Sequence, residues 1–309
     1  MKITRRRFLA VSAAVGLAWN APARAGTFRW RGIALGAPAS IALAGLDRAA
    51  AAGLAGRVEA EISRLEGIFS LYRAESELSR LNRAGRLEHP SHEMLELLDL
   101  ARLVNETTGG AFDPTVQPFW RLHAQAAAEN RAPASAEMRA ALHASGWRHV
   151  RLGAGLIRFG RPGMALTLNG IAQGYIADRV AGLLRARGLV DVLVDTGEIK
   201  ALGRRADGTP WRAGIALPDG TPVARKMLSG RALATSAPLA TLLDAARGAG
   251  HILDPRTGDP AARWRLASVS APRAALADAL STAFCLMDRP AIDRALAQHR
   301  DATLEALVS

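Results

Sequence analysis

The sequence predicts an α+β fold, and three observations lead there. Short apolar runs broken by glycine turns recur at residues 27–45, 150–160 and 191–202, each read as a pair of strands. Helical spacing governs other stretches, as in Leu54, Val58, Ile62, Leu65 and Phe69. The two kinds of segment intermix without the strict β-α-β alternation of a parallel sheet.

The elements justify themselves in order. Residues 27–45 read as two strands around a Gly36-Ala37-Pro38 break, and a helix follows over 49–69. Ser76 caps a short helix with Glu77 in its first turn. Ser91 caps another, which carries Met94, Leu97, Leu98, Ala101 and Val104 inward and runs to Thr107. Gly109 and Gly110 stop it. Residues 121–149 read as an insertion of Ala-rich helices without chemistry. After the 150–160 hairpin, a strand from Ala165 enters a loop at Asn169-Gly170, and a helix runs from near Ile171 to Arg187. Asp191 to Leu202 is strand, turn and strand around D-T-G-E. Strands are expected over Trp211–Leu217 and Lys226–Ala234, and another ends at Pro272. A helix bearing Asp278 and Thr282 follows, then a peripheral helix and strand over 290–308. No linker divides residues 26–309, which read as one domain.

The N-terminus reads as an export signal. Thr4-Arg5-Arg6-Arg7-Phe8-Leu9 is a twin-arginine pattern, and a short apolar run and Ala23-Arg24-Ala25 follow. Cleavage after Ala25 and a periplasmic location are the expectation. The formal net charge of +12 then falls to +7, since residues 1–25 hold five basic residues and no acid. The remaining arginines are scattered, which argues against nucleic acid and for an anionic small molecule or an acidic partner surface. No later stretch is long and apolar enough to span a membrane. The single Cys285 excludes an intramolecular disulfide and sits in an apolar run, as a buried thiol does.

Candidate chemistry is concentrated near the C-terminus. Asp278 and Thr282 are four apart in an Ala/Leu-rich run, so a helix puts them on one face, one turn apart. A carboxylate and a hydroxyl so placed form two corners of an all-oxygen site for a hard cation such as Mg²⁺. The same pair also reads as a helix-start acid and a packing residue. His251 precedes a D-P-R-T-G turn and is catalytic or structural on sequence alone. Tyr72 lies in a loop, where a tyrosine stacks on a flat ligand or covers a core edge. The double-glycine turn before Ala111-Phe112-Asp113 serves as a ligand loop or a plain helix stop. The strand, glycine turn and helix around Gly170 form an arrangement that aims N–H groups at a phosphate, although no nucleotide-binding fingerprint is present.

Taken together, the order of these blocks resembles the ApbE family, the FAD:protein FMN transferases. The blocks are F-S-x-Y-x-x-x-S-E-L-S-R-L-N at 69–82, T-G-G-A-F-D-P-T at 108–115 and G-I-A-x-G-Y-x-A-D at 170–178. G-E-I-x-A-L-G at 197–203, A-T-S at 234–236, H-I-L-D-P-R-T-G at 251–258 and A-P-x-A-x-x-A-D-A-L-S-T-A at 271–283 complete the set. The resemblance implies antiparallel sheets with helices packed on them, a T-fold-like architecture with the flavin site between lobes. It implies that FAD is a substrate, that Mg²⁺ assists cleavage of its pyrophosphate, and that FMN passes to a Thr hydroxyl of an acceptor flavoprotein with release of AMP. By the same resemblance Asp278, Thr282 and the Gly170 carbonyl match metal ligands, with Asp278 and His251 as the catalytic pair. Leu35, Tyr72, Ala111, Phe112, Asp113, Thr167, Gln173 and His251 match flavin- and nucleotide-contacting positions.

The departures from the family pattern are informative. Thr167, Asn169 and Gln173 stand where the family commonly has Asp, Gly and Lys. Thr196 replaces a Gly, A-T-S is followed by Ala237-Pro238 rather than Gly, and an early M-G-T reads Leu35-Gly36-Ala37. These variants resemble the NosX subgroup, which implies a NosR-like membrane acceptor of nitrous oxide respiration. Two other activities fit the same residues: a non-catalytic periplasmic flavin-binding and delivery protein, and a metal-dependent FAD pyrophosphatase.

Overall fold

The computed structural model describes residues 27–44, 48–205, 207–260 and 263–309. The export signal read at residues 1–25 lies outside the described residues. In chain order the first half comprises β1 (Thr27–Ala34), β2 (Ala37–Ala44), α1 (Arg48–Phe69), α2 (Glu77–Ala84), β3 (Arg86–Glu88), α3 (His92–Thr107), α4 (Gln117–Ala128), α5 (Ser135–His143), β4 (Val150–Gly153) and β5 (Leu156–Phe159). The second comprises α6 (Ala172–Arg185), β6 (Val192–Asp195), β7 (Ile199–Leu202), β8 (Trp211–Ala216), β9 (Pro222–Leu228), β10 (Ala232–Ser236), β11 (Leu242–Asp244), β12 (Ala249–Gly250), β13 (Leu266–Ala271), α7 (Ala274–Phe284), α8 (Arg289–Gln298) and β14 (Thr303–Val308).

Seven strands form one antiparallel sheet in the order β1-β2-β6-β7-β10-β13-β14. Alternation along its strands decides what covers each face. Val192, Val194, Ala232, Ala234, Ala267 and Val269 pack into the main core, with α1, α6 and α7. Ile199, Ala201, Leu233 and Leu266 point the other way, onto Trp211, Ile215 and Leu228 of the β8–β9 hairpin. The α+β class and the antiparallel sheet are therefore as expected.

The caps read from the sequence are present. Ser76 Oγ accepts from the Ser79 N–H at 3.0 Å, and Ser91 Oγ from the Met94 N–H at 3.2 Å. Gly109 (φ 59°) and Gly110 (φ 82°) take the left-handed backbone that ends α3. Cys285 is fully buried and its thiol is pushed up to about 12 by that burial.

Three local readings are corrected. The first hairpin turns at Leu35-Gly36, both with positive φ, and Ala37 and Pro38 belong to β2. Pro38 is tolerated because β6 pairs only with residues 40–43 of that strand. Residues 165–169 form no strand. The Asn82 amide takes the place of a neighbouring strand, donating to Leu166 O at 2.8 Å and accepting from Leu166 N–H at 2.7 Å. The single strand expected over Lys226–Ala234 is broken at Gly230 (φ 65°), so β9 pairs with β8 while β10 enters the main sheet.

The two glycines of Gly170-x-x-x-Gly174 are contact points with α7. A Cβ on Gly174 would lie 2.4 Å from Ala274 O, and one on Gly170 would lie 3.0 Å from Thr282 Oγ1. Gly174→Ala should therefore push α6 and α7 apart and cost about 1–3 kcal/mol or more, read as a lower urea midpoint with an unchanged slope.

Candidate active site

Asp278 occupies the middle of α7 rather than its start, and it is 3 % exposed. Its Oδ2 accepts from Gly174 N–H in the first turn of α6 at 3.1 Å. The helix N-terminus read as a phosphate cradle thus directs at least one of its free N–H groups to a carboxylate of the protein itself. The favour is returned. Asp178 of α6 accepts from Ala274 N–H (2.9 Å) and Ala275 N–H (3.1 Å), capping α7. One turn beyond Asp278, Thr282 Oγ1 lies 3.3 Å from Ser236 Oγ at the end of β10.

Asp278, Thr282 and Ser236 line one cleft together with Gly170, Gln173, Thr167 and His251. Ala111, Phe112 and Asp113 form a further part of its wall. Of the positions singled out in the sequence, Leu35 and Tyr72 stand apart from this cleft. Leu35 sits in the β1–β2 turn, where its N–H donates to Glu66 Oε1 at 2.8 Å. Tyr72 is 55 % exposed, in the loop before α2. Asp113 has its carboxylate committed to the protein: Oδ1 takes the Thr115 N–H and hydroxyl, and Oδ2 takes the Trp147 N–H. Thr167 Oγ1 accepts from Asn169 N–H at 3.3 Å and shapes the loop ahead of Gly170.

His251 has a fixed tautomer. Its Nδ1 faces two carbonyls, Pro238 O at 3.0 Å and Thr241 O at 3.3 Å. Carbonyls only accept, so Nδ1 carries the proton and Nε2 keeps its lone pair. Burial holds the imidazole below its ordinary value, which favours the neutral form. A neutral ring anchored at one nitrogen, on the wall of a cleft, is equipped to take a proton at the other.

Two further cleft residues escaped the sequence reading. Glu198, in the turn between β6 and β7, is buried, and its Oε2 has no partner within the protein. Its carboxyl is pushed well up by burial and by the nearby charges of Asp278 and Asp195. The D-T-G-E turn on an apolar background was the available signal. Trp120 of α4 also lines the cleft, and its indole N–H donates to His251 O at 3.0 Å. Nothing in the alanine-rich pattern around it marked it.

Among the described residues no three His, Cys, Asp or Glu side chains cluster as a metal site. The donors that do converge are a carboxylate, a hydroxyl and the backbone at Gly170, with the orphaned Glu198 oxygen on the same cleft. They are all hard oxygen groups, and this set fits Mg²⁺ rather than a metal that selects imidazole or thiolate.

A model of the ApbE family matches residues 35–308. The chain is 28 % identical over 263 residues to the FAD:protein FMN transferase of Salmonella typhimurium, covering 80 % of this chain and 75 % of the relative. It is 32 % identical over 249 residues to that of Treponema pallidum, at 72 % and 68 % coverage. The solved structure of the flavin transferase ApbE from Vibrio cholerae superposes with a TM-score of 0.76 at 25 % identity, over 92 % of this chain and 98 % of that one. The antiparallel α+β architecture is thus that of the flavin transferases. The chain belongs to the ApbE family.

The buried carboxyl makes a thermodynamic prediction. Burial pushes Asp278 up to about 7, from 3.8 when unfolded. Its contribution to stability is therefore full below the unfolded value and is lost as pH rises through about 7. The thermal midpoint of the metal-free protein should fall between about pH 4 and pH 7, and Asp278→Asn should flatten that slope. His251, held below its ordinary value, acts in the opposite sense, so the difference between the two proteins is the quantity to read.

Proposed function

We propose that the chain is an FAD:protein FMN transferase that moves FMN onto a Thr hydroxyl of an acceptor flavoprotein and releases AMP. The observation that supports this most directly is the convergence on one cleft of the single-tautomer His251 and the oxygen set of Asp278, Thr282 and Gly170.

Transfer needs a nucleophile stripped of its proton and a pyrophosphate held in place. His251 Nε2 takes the proton of the acceptor hydroxyl. That oxygen bonds to the phosphorus on the FMN side of the pyrophosphate, and the bond from that phosphorus to the bridging oxygen breaks. The bridging oxygen leaves with AMP. Asp278, Thr282 and the Gly170 carbonyl would hold Mg²⁺, which supplies charge neutralisation for the pyrophosphate when bound. Gly174 N–H fixes one Asp278 oxygen and leaves the other for that purpose. Trp120 steadies the His251 backbone by its hydrogen bond.

The acceptor in this reading is a NosR-like membrane flavoprotein that displays its Thr in the periplasm, reached after twin-arginine export of this chain. Among the described residues no helix is long and apolar enough to cross a membrane. The absence of charge at Thr167 and Gln173, both on the cleft, favours the flavin-delivery reading as the second possibility.

Purified chain starting at Gly26, with FAD, Mg²⁺ and an acceptor domain, should add one FMN less water to the acceptor, read by mass spectrometry. Tight FAD binding with no mass gain would instead support delivery, and Gln173→Lys would then be expected to restore transfer. AMP release at equal rates with and without acceptor would point to a pyrophosphatase. Asp278→Ala should abolish transfer. His251→Gln should lower kcat by about 10²–10⁴ while FAD affinity stays within about twofold.

A further inference from the structure

Beside the cleft lies a second cavity, of 490 Å³, bounded by the C-terminal end of α3, the D-P-R-T-G turn and the α7–α8 corner. Ala111 and Leu286 line both cavities, so the two adjoin. This volume is far above that of an ion and lies in the range of ligand-sized recesses. Three arginines, Arg256, Arg263 and Arg294, converge on it, with Glu106 and Asp288 as the acids.

The hydrogen bonds decide which charges are unmatched. Arg256 is held by Asp254 through two side-chain bonds, of 2.8 and 2.6 Å. Asp288 is the N-cap of α8, its Oδ1 accepting from Ala291 N–H at 2.8 Å. Glu106 pairs with Arg102 at 3.4 Å. Arg263 and Arg294 form no ion pair among the described residues. Two unmatched guanidiniums therefore face a recess that opens beside the reaction cleft. Guanidinium forks are suited to carboxylates in a planar, two-point contact.

We propose that this recess docks an acidic polypeptide segment of the acceptor, next to its reactive Thr, through Arg263 and Arg294. The assignment of the occupant as the acceptor rests on the transferase reading; the charge preference of the recess does not. With FAD filling the cleft, the incoming hydroxyl has to enter from an adjoining space, and this recess borders it at Ala111 and Leu286. Carboxylates beside the Thr would be steered and oriented there, which acts on encounter and on KM for the acceptor rather than on the chemical step.

Two readouts separate the docking from the chemistry. In the first, a fluorescein-labelled Thr peptide with two Asp residues ahead of the Thr is titrated with the full chain by anisotropy. The control is the same peptide with Lys in place of Asp. The Asp peptide should bind at least about tenfold tighter, and Arg263→Glu with Arg294→Glu should remove or invert that preference. In the second, transfer to an acceptor domain is followed by mass gain. The double variant should raise KM for the acceptor about tenfold, weaken its salt dependence, and leave kcat and KM for FAD unchanged. A variant acceptor with Lys in place of the acidic residues should recover part of the loss.

Equal binding of the Asp and Lys peptides by the wild-type chain would overturn the proposal. So would a double variant whose KM rises for FAD instead of for the acceptor, since the arginines would then belong to the dinucleotide. Binding that prefers the Asp peptide, with no mass gain, would sustain the docking and overturn the transferase reading. Circular dichroism of the double variant checks that it is folded, and Arg263→Gln with Arg294→Gln gives a milder second pair with the same expected order.

Discussion

The site depends on a reciprocal contact between two helices. Asp178 of α6 satisfies the free N–H groups at the start of α7, and Asp278 of α7 takes a free N–H at the start of α6. Asp278 is buried and Asp178 half-buried, costly positions unless the charge meets N–H donors or a cation. The close crossing is set by Gly174, where even one methyl group would collide with the α7 backbone. The cleft is built on that crossing. It places Thr282 against Gly170, and with β10 and the β6–β7 turn packed alongside it brings Ser236 and Glu198 to the same cleft. Lys200, within 3.6 Å of Asp178, tempers the local negative charge on the capping side, while Asp278 has no ion pair among the described residues. The arrangement is asymmetric: one acid is paired with a cation and the other is not.

Much of this was legible in the sequence, for identifiable reasons. Helix spacing alone put Asp278 and Thr282 on one face, and both line the cleft. Ser76, Ser91, Gly109 and Gly110 announced helix ends because capping is local chemistry. What failed was non-local. Residues 165–169 looked like a strand because apolar alternation cannot show that Asn82, far away in the chain, occupies the hydrogen-bonding edge. The stretch from Lys226 to Ala234 looked continuous because one glycine does not reveal which sheet each half will join. Gly170 and Gly174 suggested a phosphate loop, whereas the structure uses them for helix packing, a role that needs the partner helix to be seen. Glu198 and Trp120 were missed because each acts through neighbours distant in sequence.

Two uncharged residues, Thr167 and Gln173, line the cleft. At these positions the wall offers hydrogen bonds rather than ion pairs. Gln173 is 5 % exposed, and its backbone carbonyl accepts from Thr196 Oγ1 at 3.0 Å. That contact runs through the backbone of residue 173, so it ties the start of α6 to the β6–β7 turn whatever side chain stands there.

The lone thiol of Cys285 has a different kind of consequence. It follows Thr282 by three positions, is fully buried, and is held protonated across the ordinary pH range. A chain whose one cysteine is sealed cannot form a disulfide while it stays folded. Its backbone therefore carries the same covalent connections in a reducing or an oxidising medium.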